Sequence, residues 1–359
     1  MIRLLTIILA LTVTLDCYGQ KIEKTSISDL LIPLTPGFND DINITFNKEA
    51  KFIMSGEIHG VPSNMMLKYQ FLVHAHKNNN VRYLVMEAGP AMAYAVNEYL
   101  SNGNESLLKF SSYCLMELEF WKALKAFNDQ VNPADKIEVI GFDFDWIEPY
   151  RYVVKDILTP KPEYKENINK TIKSIINELD NKPTNESIPK LNSKIKELLS
   201  SEDSIFHNDI SSNKVTLDLI VWNEVPATAQ ITRDKETYKN IVRGSKNFNK
   251  GNFFAQYGVS HVNKTRNSLT TLLHKSSDSP FFGKVVSISR NYTNCESKLG
   301  DKTDYLDNWG LLRSLGIKFS DLDKAPTDIA YFKTEELKIR NKDLQLAVDY
   351  IIIVQNQKW

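Results

Sequence analysis

The chain has 359 residues, 42% of them hydrophobic and 25% charged, an ordinary globular balance with room for one large domain or two modest ones. Lys+Arg and Asp+Glu both number 44, so the formal net charge is zero. That excludes an electrostatic case for nucleic acid or an acidic membrane surface as a partner.

Residues 1–19 differ in kind from the rest. Arg3 gives a small positive start, and Leu4 to Val13 is an apolar run of signal-peptide length, too short to span a bilayer. Cys17-Tyr18-Gly19 before Gln20 places small residues where a cleavage site needs them. The segment reads as a removed secretory signal, which implies a secreted or periplasmic protein with no stable membrane span. Asp16, directly before Cys17, makes a lipoprotein anchor the poorer fit. Two cysteines remain after cleavage, Cys114 and Cys295, and the sequence leaves open whether they pair or stay apart as buried thiols.

Residues 20–359 read as one α/β domain. Lys21 to Asn47 is a polar lead-in with a short helix expected over Ser26 to Leu31, broken by Pro33. Phe52 to Ser55 is a first buried strand, stopping at Gly56 and followed by Glu57, Ile58, His59 and Gly60. Pro62 suits the start of a helix in which Met66, Tyr69 and Val73 recur at helical spacing. Val81 to Met86 is a second strand, ending in Glu87, and a helix with Met92, Val96 and Tyr99 in register follows. A further helix from Leu115 to Phe127 puts Met116, Phe120, Trp121, Leu124 and Phe127 on one broad face. Lys136 to Phe142 is the third strand, ending at Asp143, with Asp145 read as a helix cap.

From about 150 to 245 no strand pattern appears. Ile168, Ile172, Ile175, Ile176 and Leu179 form one helical face, and Ile188, Leu191, Ile195, Leu198 and Leu199 a second, which predicts a helical insertion or cap. Arg233-Asp234 opens a later helix. Asn252 to Val259 is a fourth strand running into Ser260-His261, Lys284 to Ile288 a fifth, and Asp349 to Val354 a sixth.

Strands alternating with helices predict a mostly parallel central sheet flanked by helices. Such a sheet opens all its strand ends on one edge, where α/β enzymes place their chemistry. That edge would gather Glu57, His59, Glu87, Asp143 and His261. One acid at one strand end is an ordinary turn residue; polar groups ending four strands in succession suggest a site. His59 titrates near neutrality and can take a proton from water, with Glu57 or Glu87 orienting its ring. His261 could polarise a carbonyl or serve as a second acid or base. Arg233 could stabilise an oxyanion if the cap folds over the crevice. The sequence holds no G-x-S-x-G, H-E-x-x-H, P-loop or G-x-G-x-x-G motif. Two histidines and two carboxylates could instead hold a divalent metal; the reading favours metal-free chemistry with no cofactor.

The ordered set GEIHG, VRYLVMEAG, IGFDFDW, Arg233-Asp234, AQYGVSHV and VDYIIIV resembles the erythromycin-esterase family over roughly Lys51 to Val354. The resemblance implies an α/β fold with a helical insertion and hydrolysis of a lactone by a histidine-activated water, without a serine nucleophile. It places the first family histidine on His59, the acids on Glu57 and Glu87, the later histidine on His261, and the arginine on Arg233. Only Ile58 separates Glu57 from His59. That shorter spacing looks more like the related haem-uptake and TIKI/TraB-type groups, which implies haem binding or metal-dependent peptide cleavage as alternatives. The expected partner is a small-molecule or peptide substrate, and the expected activity is hydrolysis of an ester, lactone or amide other than antibiotic resistance.

Overall fold

The computed structural model describes residues 30–40, 42–181, 183–223, 230–264, 267–299, 302–308, 311–312, 317, 327–337 and 347–358. The signal segment at 1–19 lies outside them. The strands are β1 (Ile32–Pro33), β2 (Phe52–Glu57), β3 (Val81–Met86), β4 (Glu138–Gly141), β5 (Asn252–Gly258), β6 (Val285–Leu299), β7 (Lys302–Asn308), β8 (Ile329–Lys333) and β9 (Tyr350–Gln355). They make one mixed sheet in the order β1-β8-β9-β6-β2-β5-β3-β4, with β7 paired to β6.

The six strands expected from sequence run parallel to one another, from β9 through β6, β2, β5 and β3 to β4. The sheet is not wholly parallel, however. β8 lies antiparallel to β9, β1 antiparallel to β8, and β7 antiparallel to β6. These three were not expected. β1 is two residues long, and β7 is a polar run, Lys-Thr-Asp-Tyr-Leu-Asp-Asn, that lacks a strand signature. Leu30 and Leu31, the described end of the expected lead-in helix, are not helical, and Ile32–Pro33 pairs with β8 instead.

Two apolar cores sandwich the sheet. The alternation of strand side chains sends Ile53, Leu84, Phe254 and Ile288 to one face, against α1 (Ser63–Asn79), α2 (Pro90–Asn102), the short α3 (Ser112–Met116) and α4 (Leu118–Gln130). The helix expected over 115–127 is thus two helices. The break falls at Glu117, whose buried carboxylate turns inward to pair with the buried Lys68 of α1.

Between β4 and β5 the described residues form helices α5 (Ile147–Ile157), α6 (Glu166–Asp180), α7 (Ile188–Leu199), α8 (Ser204–Asp209), α9 (Lys214–Trp222) and α10 (Gln230–Gly244). The isoleucine and leucine faces of α6 and α7 close on Tyr150, Val153, Leu217 and Ile220 to make a third core. Helix α10 leaves that layer and packs on the sheet. With α11 (Leu269–Lys275) it covers Phe52, Met54, Val85, Phe253 and Ala255 on the second face. Cys114 and Cys295 are both buried and unpaired. Among the described residues, no helix is long and apolar enough to cross a membrane.

Candidate active site

Strand β2 does not stop at Gly56 but carries on to Glu57. The two-residue period therefore puts Glu57 on the same face as Ile53 and Ser55, toward α1. There it meets Arg290, a fully buried side chain on β6 whose Nη1 donates to Glu57 Oε2 at 2.9 Å. Arg290 also donates to Asn64 Oδ1 at 3.1 Å, Ser55 Oγ at 3.1 Å and Gln256 Oε1 at 3.3 Å, while Gln256 Nε2 donates to Glu57 Oε2. Glu57 is thus an anion fixed from below. Its burial favours the neutral acid, but His59 and Arg290 outweigh that and hold its pKa below the usual value.

The chain then turns sharply. Gly60 has φ +81°, and a Cβ there would lie 2.4 Å from the Lys298 carbonyl oxygen. Only glycine fits that corner, which swings His59 back over the strand end before α1 begins. His59 Nδ1 lies 3.0 Å from Glu57 Oε1, and its Nε2 lies 3.4 Å from Glu87 Oε2.

Glu87 follows β3 and points to the other sheet face, toward α10. Its Oε2 accepts from the Gly258 N–H at 2.7 Å. Its Oε1 lies 3.2 Å from Arg233 Nη2 and 3.5 Å from His261 Nε2. His261 Nδ1 in turn lies 2.5 Å from Asp234 Oδ1, and Asp234 Oδ2 accepts from the Leu269 N–H at the start of α11. Asp143 accepts from Arg233 Nε at 2.7 Å and Nη2 at 2.8 Å, a bidentate clamp.

All six sequence-derived residues, Glu57, His59, Glu87, Asp143, Arg233 and His261, therefore stand in one contiguous network at the carboxyl edge of the sheet. They are not equally accessible. Side-chain exposure is 31% for His59, 28% for Arg233 and 13% for Glu87, but 6% for His261 and 1% for both Glu57 and Asp143. His59, Arg233 and Glu87 are thus the members most open to solvent, and Asp143 stands behind the guanidinium it holds. Asp145 accepts from the Ala91 N–H at 3.0 Å and so caps α2, as read from sequence; burial raises its pKa to about 7.

Two members went unread in the sequence. Asp234 stands beside Arg233 in the motif that drew attention to the arginine, and helical geometry sends it to His261. Arg290 lies two residues past the strand expected over Lys284 to Ile288, whereas β6 runs from Val285 through Leu299. Its position two residues after Ile288, on the same face, is the signal by which the sequence could have shown it.

The electrostatics follow from these contacts. Burial alone would favour a neutral His59 ring, but hydrogen bonds to Glu57 and Glu87 raise its pKa from 6.5 to about 10. Burial likewise opposes charge on His261, yet Asp234 and Glu87 raise its pKa to about 9. Glu87, against its own burial, is held well below the ordinary carboxylate range by His261 and His59. Both rings are imidazolium at neutral pH in the free protein. Among the described residues, no three His, Cys, Asp or Glu side chains are placed to hold a metal ion.

Fold and site define an α/β protein with a mixed, mostly parallel sheet and a histidine–carboxylate network at its carboxyl edge. The same fold occurs in a mutant of the erythromycin esterase EreC in its open conformation, with TM-score 0.57, 12% identity, and 86% of this chain and 91% of that one covered. A succinoglycan biosynthesis protein matches with TM-score 0.62 at 14% identity, covering 93% of this chain and 96% of that one. A protein from Bacillus cereus matches with TM-score 0.61 at 14% identity, covering 92% and 96%. No protein-family model and no curated protein sequence matches the chain. The likeness is one of fold.

Proposed function

We propose that this protein is a hydrolase that cleaves an ester, lactone or amide with a water activated by His59. The observation that carries the reading is the Glu57–His59 pair. A buried carboxylate, itself fixed by Arg290, takes the Nδ1 side of the ring, and Nε2 of this 31% exposed side chain lies 3.4 Å from Glu87 Oε2. That is the orienting arrangement a general base requires. Arg233, 28% exposed beside Glu87, adds a guanidinium suited to negative charge building on a carbonyl oxygen, while the two His261 nitrogens face Asp234 and Glu87. The shared fold with an erythromycin esterase supports an ester or lactone over other carbonyl substrates.

The resting ring is protonated, so the base form appears only as pH rises toward about 10. The reading therefore predicts a kcat/KM that climbs roughly tenfold per pH unit on the acid side of that value. The test is turnover of p-nitrophenyl esters, a macrocyclic lactone and peptide amides by the wild-type protein and by His59→Ala. Expected are an alkaline-rising profile and a loss of at least about 100-fold in the variant. Full activity in His59→Ala, or no turnover on the whole panel, overturns the reading. Activity lost to a chelator and restored by a divalent cation would replace it with metal-dependent hydrolysis. A Soret band on mixing with haem, without turnover, would replace it with ligand binding.

A further inference from the structure

The residue beneath the point where the polar groups converge is a glycine, and nothing in its own geometry demands one. Gly258 has φ −55° and ψ 144°, a conformation open to any residue. A Cβ placed on it would lie 3.6 Å from His261 Cδ2, 3.7 Å from Glu87 Oε2 and 3.9 Å from His59 Nε2. All three are ordinary van der Waals separations, so a methyl group fits without a clash. Glycine at this position leaves a methyl-sized space, floored by its Cα and walled by one imidazole nitrogen, one carboxylate oxygen and the edge of a second imidazole. Its N–H also holds the Glu87 wall in place, at 2.7 Å.

We infer that this space over Gly258 seats the water consumed in the reaction, and that Gly258 is a positioning residue because it lacks a side chain. The inference rests on the hydrolase reading and adds to it the place from which the nucleophile attacks. The Cβ point lies 3.9 Å from His59 Nε2 and 3.7 Å from Glu87 Oε2, so the water sits further out over Gly258 than a Cβ would, between these two polar partners. With His59 neutral, the water oxygen bonds to the carbonyl carbon as the C=O pair moves onto oxygen, and the water proton passes to Nε2. Collapse of that intermediate breaks the bond to the leaving alcohol or amine, which takes the proton back from His59. The products are one acid and one alcohol or amine, with His59 restored.

Gly258→Ala tests the seat directly, because the methyl occupies it while the backbone and neighbours stay as they are. The expected result is an unchanged melting temperature, a kcat lowered at least about 100-fold on a p-nitrophenyl ester, and little change in KM. A folded Gly258→Ala with turnover within threefold of wild type, beside an inactive His59→Ala, overturns the water seat and leaves the hydrolase reading standing. An active His59→Ala overturns the hydrolase reading itself. Should the alanine variant fail to fold, a high-resolution crystal structure of the wild-type protein decides the matter. An ordered water within hydrogen-bonding distance of both His59 Nε2 and Glu87 Oε2 supports the seat, and a crevice without one overturns it.

Discussion

Glu87 serves four partners with two oxygens: His59, His261, Arg233 and the Gly258 N–H. Two imidazoles that share one carboxylate titrate as a coupled pair, so their proton affinities depend on its charge. Replacing it with the isosteric amide in Glu87→Gln removes the charge and keeps the shape. The pKa values of both rings, about 10 for His59 and about 9 for His261, are then expected to fall by at least about one pH unit. NMR titration of the ring protons reads both at once. Unmoved titration curves would mean that Glu57 and Asp234 alone set the protonation of their histidines. The same variant separates charge from position in catalysis, since a lower His59 pKa makes more of the base form at neutral pH.

At the scale of elements, β4 ends the parallel run of the sheet and presents an unpaired edge. Two asparagines cover it. Asn97 of α2 accepts from the Val139 N–H at 2.9 Å and donates to the Val139 carbonyl at 2.7 Å. Asn128 of α4 does the same for Ile137, at 2.9 Å in both directions. The side-chain amides imitate the peptide groups of a neighbouring strand, two residues apart along the edge. This blocks pairing with another chain as well as satisfying the backbone. Asn97→Ala is expected to lower unfolding stability by about 1–3 kcal/mol in urea and to promote concentration-dependent association visible by sedimentation. An unchanged midpoint with a monomeric profile would show that water serves that edge as well as the amide does.

Across the whole molecule, the site is a junction between the two faces of the sheet. Glu57 is anchored on the α1 face by Arg290, while Glu87, Arg233, Asp234 and His261 belong to the α10 face, and His59 at the strand edge touches both sets. Opposite charges from the two layers thus meet in one network, and pH acts on their union. The histidines, with folded pKa values of about 10 and about 9, stabilise the fold fully below their ordinary 6.5, and that contribution is lost as pH rises through those folded values. Glu57 and Glu87, with folded values lowered, contribute fully above their ordinary 4.5 and lose that contribution as pH falls through the folded values. Thermal stability is therefore expected to peak between pH 4.5 and 6.5 and to decline toward pH 10, with a shallower decline in His59→Gln. Melting curves across that range check it; an identical decline in the variant would place the alkaline loss elsewhere.

The residue pattern alone determined the parallel strands and the positions of Glu57, His59, Glu87, Asp143 and His261 at their ends. Hydrophobic periodicity and strand-end chemistry are local, and a parallel sheet delivers its ends to one edge. Only the tertiary structure decided what those groups touch. Arg290 lies past the strand expected over Lys284 to Ile288, and only the closing of β2, β5 and α1 over it leaves Glu57 as its counter-charge. Asp234 reads as a helix residue until α10 lies across the sheet and brings it to His261. The Glu117–Lys68 pair at the helix break is likewise invisible along the chain, because its partners lie 49 residues apart. Burial and ion pairing belong to contacts between distant segments, and no window of sequence contains both partners.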